Sequence, residues 1–220
     1  MNARLSHVIC LGLIVMLLAF AAWIYPQLPD LVPSHWNSQG QVDGYMAKPW
    51  GVFLLPILTL GIYLMFLVLP LISPHGFRME QFGNVVRLFQ TVMVLFMSLV
   101  AITALLAARG DNVPVSNITL GGTGMLLLVL GNYMGKVRKN FFIGIRTPWT
   151  LASDEVWART HRLGGWLFSA GGLLLMLGSF SQLDTRLILT VVVIIALVPV
   201  AYSFLLYRRL EGLGPDKEDA

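Results

Sequence analysis

Residues 131–166 read GNYMGKVRKNFFIGIRTPWTLASDEVWARTHRLGGW and form the one long polar interruption in the apolar second half of the chain. This stretch, called the basic segment below, carries six of the fifteen Lys and Arg residues and three of the six Trp residues. A connector between two membrane helices needs only a few polar residues. The length and composition of the basic segment therefore make it the first place to look for function.

The composition of the whole chain is typical of a helical membrane protein. Of its 220 residues, 56% are hydrophobic and 12% are charged, and the mean hydropathy is +0.74. Soluble domains carry about 25% charged residues, so this chain cannot cover a water-facing surface. The net charge of +4 fits loops that face anionic lipid, and we expect no direct contact with nucleic acid.

Six apolar stretches are long enough to cross the ~30 Å hydrocarbon core of a bilayer as helices. They lie at residues 8–25, 50–71, 88–108, 118–134, 163–180 and 187–207. The first resembles a signal peptide, but it is longer than the usual apolar region and five more spans follow, which favours an uncleaved helix. The sequence predicts an all-α, polytopic membrane protein that is a bundle of six transmembrane helices.

The distribution of basic residues predicts which side of the membrane each loop faces. With six spans, twelve of the fifteen Lys and Arg residues fall on one side, and cytoplasmic loops are the ones enriched in these residues. Both termini and the basic segment are therefore predicted to be cytoplasmic. The twelve are Arg4, Arg78, Arg87, Lys136, Arg138, Lys139, Arg146, Arg159, Arg162, Arg208, Arg209 and Lys217; the other three are Lys48, Arg109 and Arg186.

The loop between the first two spans, residues 26–49, is predicted to face outward. Its four prolines exclude a continuous helix, and both Asp43-Gly44 and the stretch Ser38–Gly40 are turn signals. We expect a compact, structured loop. His35, Trp36 and Asp43 are candidates for contacting an external ligand, and the alternative is a loop that only packs on itself.

The chain lacks the sequence patterns of an ion path, a metal site or a catalytic cluster. The cores of the six spans contain no Asp, Glu, Lys, Arg or His, which disfavours a charge-driven pump. The four His residues are scattered, and the single cysteine, Cys10, lies in an apolar run. We predict no metal, no cofactor and no catalytic residue.

The first part of the basic segment carries local signals for an ordered backbone. Pro148 biases Thr147 toward extended geometry, and Gly144 allows the chain to turn. The stretch FFIGIRTPW, residues 141–149, is therefore predicted to be strand-like and to lie under the lipid headgroups.

The second part of the basic segment is predicted to begin a helix at Ser153, whose side chain caps the first turn. On this helix Glu155 and Arg159 are one turn apart and can pair. Trp157 and His161 are also one turn apart, on a different face. A short amphipathic helix is expected here, ahead of the fifth span.

Two interpretations of the basic segment remain open from its residues. It is either a solvated basic loop with tryptophans at the interface, or a pocket at the cytoplasmic mouth of the bundle. In the second case Asn132, Arg146, Trp149 and His161 converge, and the pocket suits an acidic peptide or a phosphate group. A histidine such as His161 is more often a hydrogen-bonded packing residue than a base.

The basic segment closely resembles the signature of the SdpI family of bacterial membrane proteins. The outer loop, LPDLVPSHWNSQGQVDGYMAKP, resembles the P-x-H-W-x-x-x-G-x-x-D-x-Y pattern of a small domain of unknown function that precedes it. The resemblance covers the whole chain and implies a six-span protein of the bacterial plasma membrane. It divides the chain into an N-terminal three-span half, residues 1–110, and an SdpI-like three-span half, residues 111–220.

The founding member of that family is an immunity protein that protects against a secreted peptide toxin and holds a small transcriptional repressor at the membrane. The resemblance implies that the outer loop meets a toxin and that the basic segment meets a cytoplasmic partner such as a repressor. The implied partner-binding residues are Asn132, Lys136, Arg138, Asn140, Phe142, Gly144, Arg146, Thr147, Trp149, Glu155, Trp157 and His161. The alternative hypothesis is a membrane enzyme or carrier that acts on a phosphorylated lipid or small anion.

Overall fold

The computed structural model describes residues 2–37, 39–74, 79–181 and 183–212, in which helices predominate and one small β-hairpin occurs. The all-α, polytopic architecture is confirmed, whereas the hairpin was not predicted. His75, Arg78 and Lys217 lie outside the described residues. The elements are α1 Ala3–Ile24, β1 Leu31–Trp36, β2 Val42–Ala47, α2 Lys48–Val68, α3 Gly83–Arg109, α4 Val115–Met134, α5 Pro148–Ala152, α6 Asp154–Gly178 and α7 Thr185–Leu210.

Five helices of the described chain have the length and apolar character needed to cross a membrane. They are α1, α2, α3, α4 and α7, and they correspond to five of the six predicted spans. The remaining predicted span, residues 163–180, falls in the second part of α6, whose first turns carry charged side chains. The predicted short amphipathic helix and this span form one continuous helix. The count of six spans therefore stays a prediction.

The helices pack in two groups that meet through α3 and α4. Helices α1, α2 and α3 contact one another, α6 contacts both α4 and α7, and α3 contacts α4. The division of the chain into halves at residues 1–110 and 111–220 stays a prediction. One end of the bundle carries the basic segment and is called the basic end. The opposite end carries the hairpin, the α3–α4 loop and the α6–α7 turn, and is called the hairpin end.

Helices α4 and α6 approach so closely that their backbones touch. A Cβ atom added at Gly131 would lie 2.6 Å from the backbone nitrogen of Ser169, and one at Gly172 would lie 2.6 Å from the carbonyl oxygen of Gly124. Small residues permit such contact between membrane helices. Gly135, one turn after Gly131, takes no part in this contact, since nothing lies within 4 Å of a Cβ added there.

The outer loop folds into the antiparallel β1–β2 hairpin, with Leu31 opposite Ala47 and Trp36 opposite Val42. The side-chain oxygen of Asn37 accepts hydrogen bonds from the backbone amides of residues 39 and 41 in the turn, at 3.0 and 2.9 Å. The loop is compact, as predicted. Of the two predicted turns, the one in the stretch 38–40 is confirmed at Gln39 and Gly40, where the Gly40 N–H donates to the Asn37 carbonyl at 2.9 Å. The other, Asp43-Gly44, lies inside β2.

Candidate functional site

Asn140 organises the first part of the basic segment. It is fully buried, and its Oδ1 accepts the backbone N–H groups of Phe142 at 2.8 Å and Ile143 at 2.7 Å. Its Nδ2 donates to the carbonyl oxygens of Arg138 at 2.8 Å and Ile143 at 2.9 Å. The strand-like prediction for residues 141–149 is wrong. The Asn140 side chain forms hydrogen bonds with backbone N–H and C=O groups that, in a strand, would pair with a neighbouring strand.

His161 is locked in one neutral form by its neighbours. Its Nδ1 lies 2.9 Å from the carbonyl oxygen of Trp157, so Nδ1 must carry the proton. Nε2 is then an acceptor, and the backbone N–H of Ile145 donates to it at 3.0 Å. Burial lowers the pKa of His161 to about 4, against the opposing effect of the bond to the Trp157 carbonyl. His161 is therefore a packing residue with both ring nitrogens in use.

Gly144 makes the contact with His161 possible. Its φ of +116° lies in the left-handed region, and a Cβ at this position would come within 2.3 Å of the His161 Nε2 atom. The predicted turn at Gly144 is thus confirmed, with a second reason for glycine that the sequence did not reveal.

Trp157 attaches the basic segment to the N-terminal half of the chain. Its indole N–H donates to the carbonyl oxygen of Val137 at 2.9 Å, and its ring stacks on His161 with 4.0 Å between centroids. It is buried in a cluster that includes Phe66 from α2 and Phe89 from α3. A solvated loop would not place an indole in such a cluster, so the basic segment is a packed structure.

Helix α5 ties the segment to α7. Thr147, which is extended as predicted, caps α5 in a reciprocal arrangement with Thr150. The Thr147 hydroxyl also lies 3.0 Å from that of Ser203, and the ring of Trp149 lies 4.9 Å from that of Phe204. Both α7 residues were missed from the sequence, because no local pattern marks a contact across more than fifty residues.

The predicted start of α6 is confirmed. The Ser153 hydroxyl oxygen accepts the N–H of Val156 at 3.5 Å and the hydroxyl donates to the carboxylate of Glu211 at 2.8 Å. Glu155 and Arg159 form the expected pair, with 2.5 Å between oxygen and nitrogen. Ser153 thus links the beginning of α6 to the end of α7.

The six basic residues of the segment differ in how much of their charge is already paired. Lys139 pairs with Asp154 at 2.5 Å, Arg159 pairs with Glu155, and the ammonium of Lys136 lies over the Tyr133 ring at 4.5 Å. The other three are exposed arginines that no carboxylate contacts within the described part of the chain. They are Arg138, Arg146, which donates to the carbonyl of Phe141, and Arg162.

The predicted pocket residues lie in different environments. Asn132 and Arg146 are exposed, Trp149 is partly buried against α7, and His161 is buried inside the segment. Among the contacts of the described residues, none joins Asn132 or Arg146 to His161. The exposed arginines are therefore the part of this end that can meet a partner, while His161, Trp157 and Asn140 maintain its shape.

At the hairpin end, two of the three predicted ligand residues contact each other. His35 Nδ1 lies 2.5 Å from Asp43 Oδ1, across an irregularity in the β1–β2 pairing, and both side chains are exposed. Trp36 follows on β1 and is partly buried. His35 and Trp36 also line a cavity. Their contact with an external ligand stays a prediction.

That cavity, called the outer cavity below, has a volume of about 1220 Å³. The hairpin, α3, the α3–α4 loop, α4, α6 and α7 all contribute to its wall. Polar side chains predominate near the loops, and apolar ones lie deeper, among them Leu120, Leu175, Ile188 and Val192. Small-molecule sites occupy ~300–1,000 Å³, so the outer cavity has room for a larger ligand. The loop residues in its wall, such as Asn112 and Asp184, were missed from the sequence.

A second, wholly apolar groove of about 330 Å³ lies between α3 and α4. On α3, the last residue that lines the groove is Leu99, and the first that lines the outer cavity is Val100. On α4, the lining of the outer cavity ends at Thr123 and that of the groove begins at Gly122. The two spaces therefore follow one another along the same pair of helices.

As for metals, no group of three or more His, Cys, Asp or Glu within residues 2–37, 39–74, 79–181 and 183–212 is arranged to hold an ion.

Comparison with known proteins gives a consistent family relationship. The SdpI/YfhL protein family model matches residues 136–203, and a domain of unknown function, DUF1648, matches residues 12–60. The chain is 29% identical over 206 residues to the immunity protein SdpI of Bacillus subtilis strain 168, covering 92% of this chain and 97% of that protein. No solved structure matches.

These matches fit the geometry at both ends. The DUF1648 match includes the hairpin with His35, Trp36 and Asp43, and the SdpI/YfhL match includes most of the basic segment and α7 up to Ser203. The relationship supports a membrane immunity protein, and the apolar helices place it in the bacterial plasma membrane as a multi-pass protein. The chain is thus similar to the SdpI/YfhL family over residues 136–203 and to DUF1648 over residues 12–60, and it resembles the Bacillus subtilis immunity protein SdpI over most of its length.

Proposed function

We propose that this protein is a non-enzymatic immunity protein and receptor that protects the cell against a secreted, membrane-active peptide toxin. The observation that carries the proposal is the large cavity at the hairpin end, whose walls include α6 and α7. The same two helices hold the basic segment at their other ends through Ser153, Glu211 and Ser203. A ligand at one end therefore contacts elements that support the surface at the other.

The hairpin end is the side on which a toxin would be met. His35 and Trp36 line the outer cavity, and the Asp43 carboxylate contacts His35. This position suits residues that contact a ligand first. It requires that the hairpin end faces outward, as the distribution of basic residues predicts.

The basic end is the side on which a cytoplasmic partner, such as a small transcriptional repressor, would dock. Arg138, Arg146 and Arg162 are exposed and have no carboxylate contact among the described residues. Charge complementarity with an acidic patch would give such docking its speed and selectivity. Phe141, exposed at 40%, adds an apolar contact beside them.

A protection assay tests the main proposal. A Bacillus subtilis strain that lacks its own SdpI would express this chain and be challenged with culture medium from the parent strain. We expect more survivors than with an empty vector, and fewer when His35 is changed to alanine. Gln27→Ala, on the outer side but away from the cavity wall, is the matched control. Survival no better than with the vector would contradict protection.

Partner docking is tested separately, by imaging fluorescent fusions of the small DNA-binding proteins whose genes neighbour the gene of this chain. Replacing Arg138, Arg146 and Arg162 with alanine should release the fusion from the membrane and leave protection largely unchanged. Arg186→Ala, at the hairpin end, is the control for loss of a basic side chain away from the basic end, and it is compared with each single arginine variant. A fusion that stays at the membrane with the triple variant would contradict docking at the basic end.

The alternative, a membrane enzyme or carrier for a phosphorylated lipid or small anion, gains support only from the same exposed arginines, which suit phosphate as well as carboxylate. His161 would have to break two hydrogen bonds to serve as its acid or base. Polyprenyl phosphate recovered with the purified protein and lost from the arginine triple variant would favour this alternative.

A further inference from the structure

We propose that the outer cavity is the binding site for a segment of a cationic, amphipathic peptide, with a positive group of the peptide facing Asp184 and its apolar side chains directed toward the α3–α4 groove. This inference rests on the proposed immunity function and supplies the site and the class of ligand. Three features of the cavity wall carry it: its charge, its hydrogen-bonding groups and its apolar continuation.

The charge of the wall selects the sign of the ligand. Among the described residues that line the outer cavity there is no Lys or Arg, and Asp184 is the one carboxylate. Asp184 also caps α7 by accepting the backbone N–H of Arg186 at 2.7 Å, which fixes its position on the wall. An ammonium or guanidinium group entering the cavity would meet the negative charge of Asp184 and no Lys or Arg side chain.

The polar groups of the wall suit a polypeptide backbone. Hydroxyl and amide side chains from the α3–α4 loop, α4 and the α6–α7 turn face the same space: Asn112, Ser116, Asn117, Thr119, Ser179, Ser181 and Thr185. A peptide carries a donor and an acceptor at nearly every residue and must satisfy both when it leaves water. A lipid acyl chain has neither, so it would leave these wall groups without partners.

The apolar groove between α3 and α4 completes the match. It continues from the outer cavity along the same two helices, and its lining from Val92 to Leu99 and from Gly122 to Val129 is apolar throughout. A ligand with a polar, cationic face and an apolar face can place one in the cavity and the other in the groove. A purely polar solute would leave the groove unused.

Photo-crosslinking of the full chain tests the site. The probe is a synthetic amphipathic peptide of about 20 Leu and Lys residues that carries one benzophenone group. It is added to the protein in phosphatidylcholine nanodiscs, and the crosslinked residues are identified by mass spectrometry. We expect crosslinks to concentrate on the cavity walls of α4 and α7. The same peptide with acetylated lysines should crosslink less, because its charge is removed.

Two pairs of variants separate the site from general effects. Asp184→Asn keeps a capping side chain but removes the negative charge. It should reduce crosslinking at limiting peptide concentration by roughly five- to tenfold. Asp30 is exposed and lies away from the cavity wall, so Asp30→Asn should change crosslinking little. Thr119→Trp fills the cavity and should abolish the crosslinks. Ile118→Trp, the preceding residue of α4 and absent from the wall, should not.

Three outcomes would overturn the inference: equal crosslinking by Thr119→Trp and Ile118→Trp, no effect of Asp184→Asn, or a phospholipid bound in the cavity that the peptide does not displace. The protection assay distinguishes this failure from failure of the proposed function. Protection without crosslinks in the cavity would refute the site alone, and crosslinks in the cavity without protection would refute the immunity function alone.

Discussion

Replacing Asn140 with alanine should loosen the basic segment while leaving the membrane helices folded. The Asn140 side chain makes four hydrogen bonds in a fully buried position, two as acceptor and two as donor. A typical buried hydrogen bond contributes about 0.5–1.5 kcal/mol net. The loss of four predicts a destabilisation of the segment of roughly 4 kcal/mol, within a range of about 2–6 kcal/mol.

Hydrogen exchange measures this effect directly, because the backbone amides of Phe142 and Ile143 donate to Asn140. A loss of roughly 4 kcal/mol corresponds to exchange about a thousandfold faster when the segment opens locally. Mass spectrometry of peptides covering residues 138–147, with the protein in nanodiscs, would detect this change. Peptides from α1 and α3 should exchange as in the unchanged protein.

Asn140→Asp and Asn132→Ala make the test specific. Aspartate keeps the two accepted bonds but turns a carboxylate oxygen toward the carbonyls of Arg138 and Ile143, so this variant should open the segment at least as much as alanine. Asn132 is exposed, and its replacement by alanine should have little effect. If exchange at residues 142 and 143 were unchanged in both Asn140 variants, the side chain would not be the centre of this turn and the reasoning would be refuted.

Three further predictions concern the packing and sidedness of the protein. Gly144→Ala should lower the thermal unfolding temperature, since it forces a side chain into a left-handed backbone and against His161; an unchanged temperature would contradict this packing. The basic segment should lose protection from hydrogen exchange as the pH falls from about 6.5 to about 4, because the folded state keeps His161 neutral while the open state binds a proton; the loss should reach about 3 kcal/mol and be absent in His161→Gln. Cysteine placed at Lys139 should react with a membrane-impermeant maleimide only in opened cells, and cysteine at His35 in intact cells; the reverse would contradict the orientation.

Much of the fold could be predicted because its signals are local. The apolar stretches identified α1, α2, α3, α4 and α7. The predicted span at residues 163–180 falls in α6, whose charged first turns were predicted to be a separate short helix. The cap at Ser153, the Glu155–Arg159 pair and the turn at Gly144 were each visible within a few residues. Such features depend on spacing along one helix or on the backbone geometry of one residue.

The features that were missed depend on contacts between distant parts of the chain. Thr147 meets Ser203 across 56 positions, and nothing near either residue indicates the other. The hairpin was missed because the four prolines of the loop excluded a helix without indicating a strand. Pro33 is tolerated in β1 because both strands of this two-stranded sheet are edges. The outer cavity is formed by the hairpin and four helices together, so no single stretch could reveal it.

The backbone contact between α4 and α6 has a consequence for how the protein is made. A glycine weakens a helix by about 1 kcal/mol relative to alanine, and Gly124, Gly131, Gly165 and Gly172 all lie in this contact. Of the five apolar helices α4 is the least hydrophobic, and α6 begins with a charged stretch. We therefore expect newly synthesised α4 to remain beside the translocon until α6 has emerged, so that the two helices enter the lipid as a pair and a chain truncated before α6 is degraded.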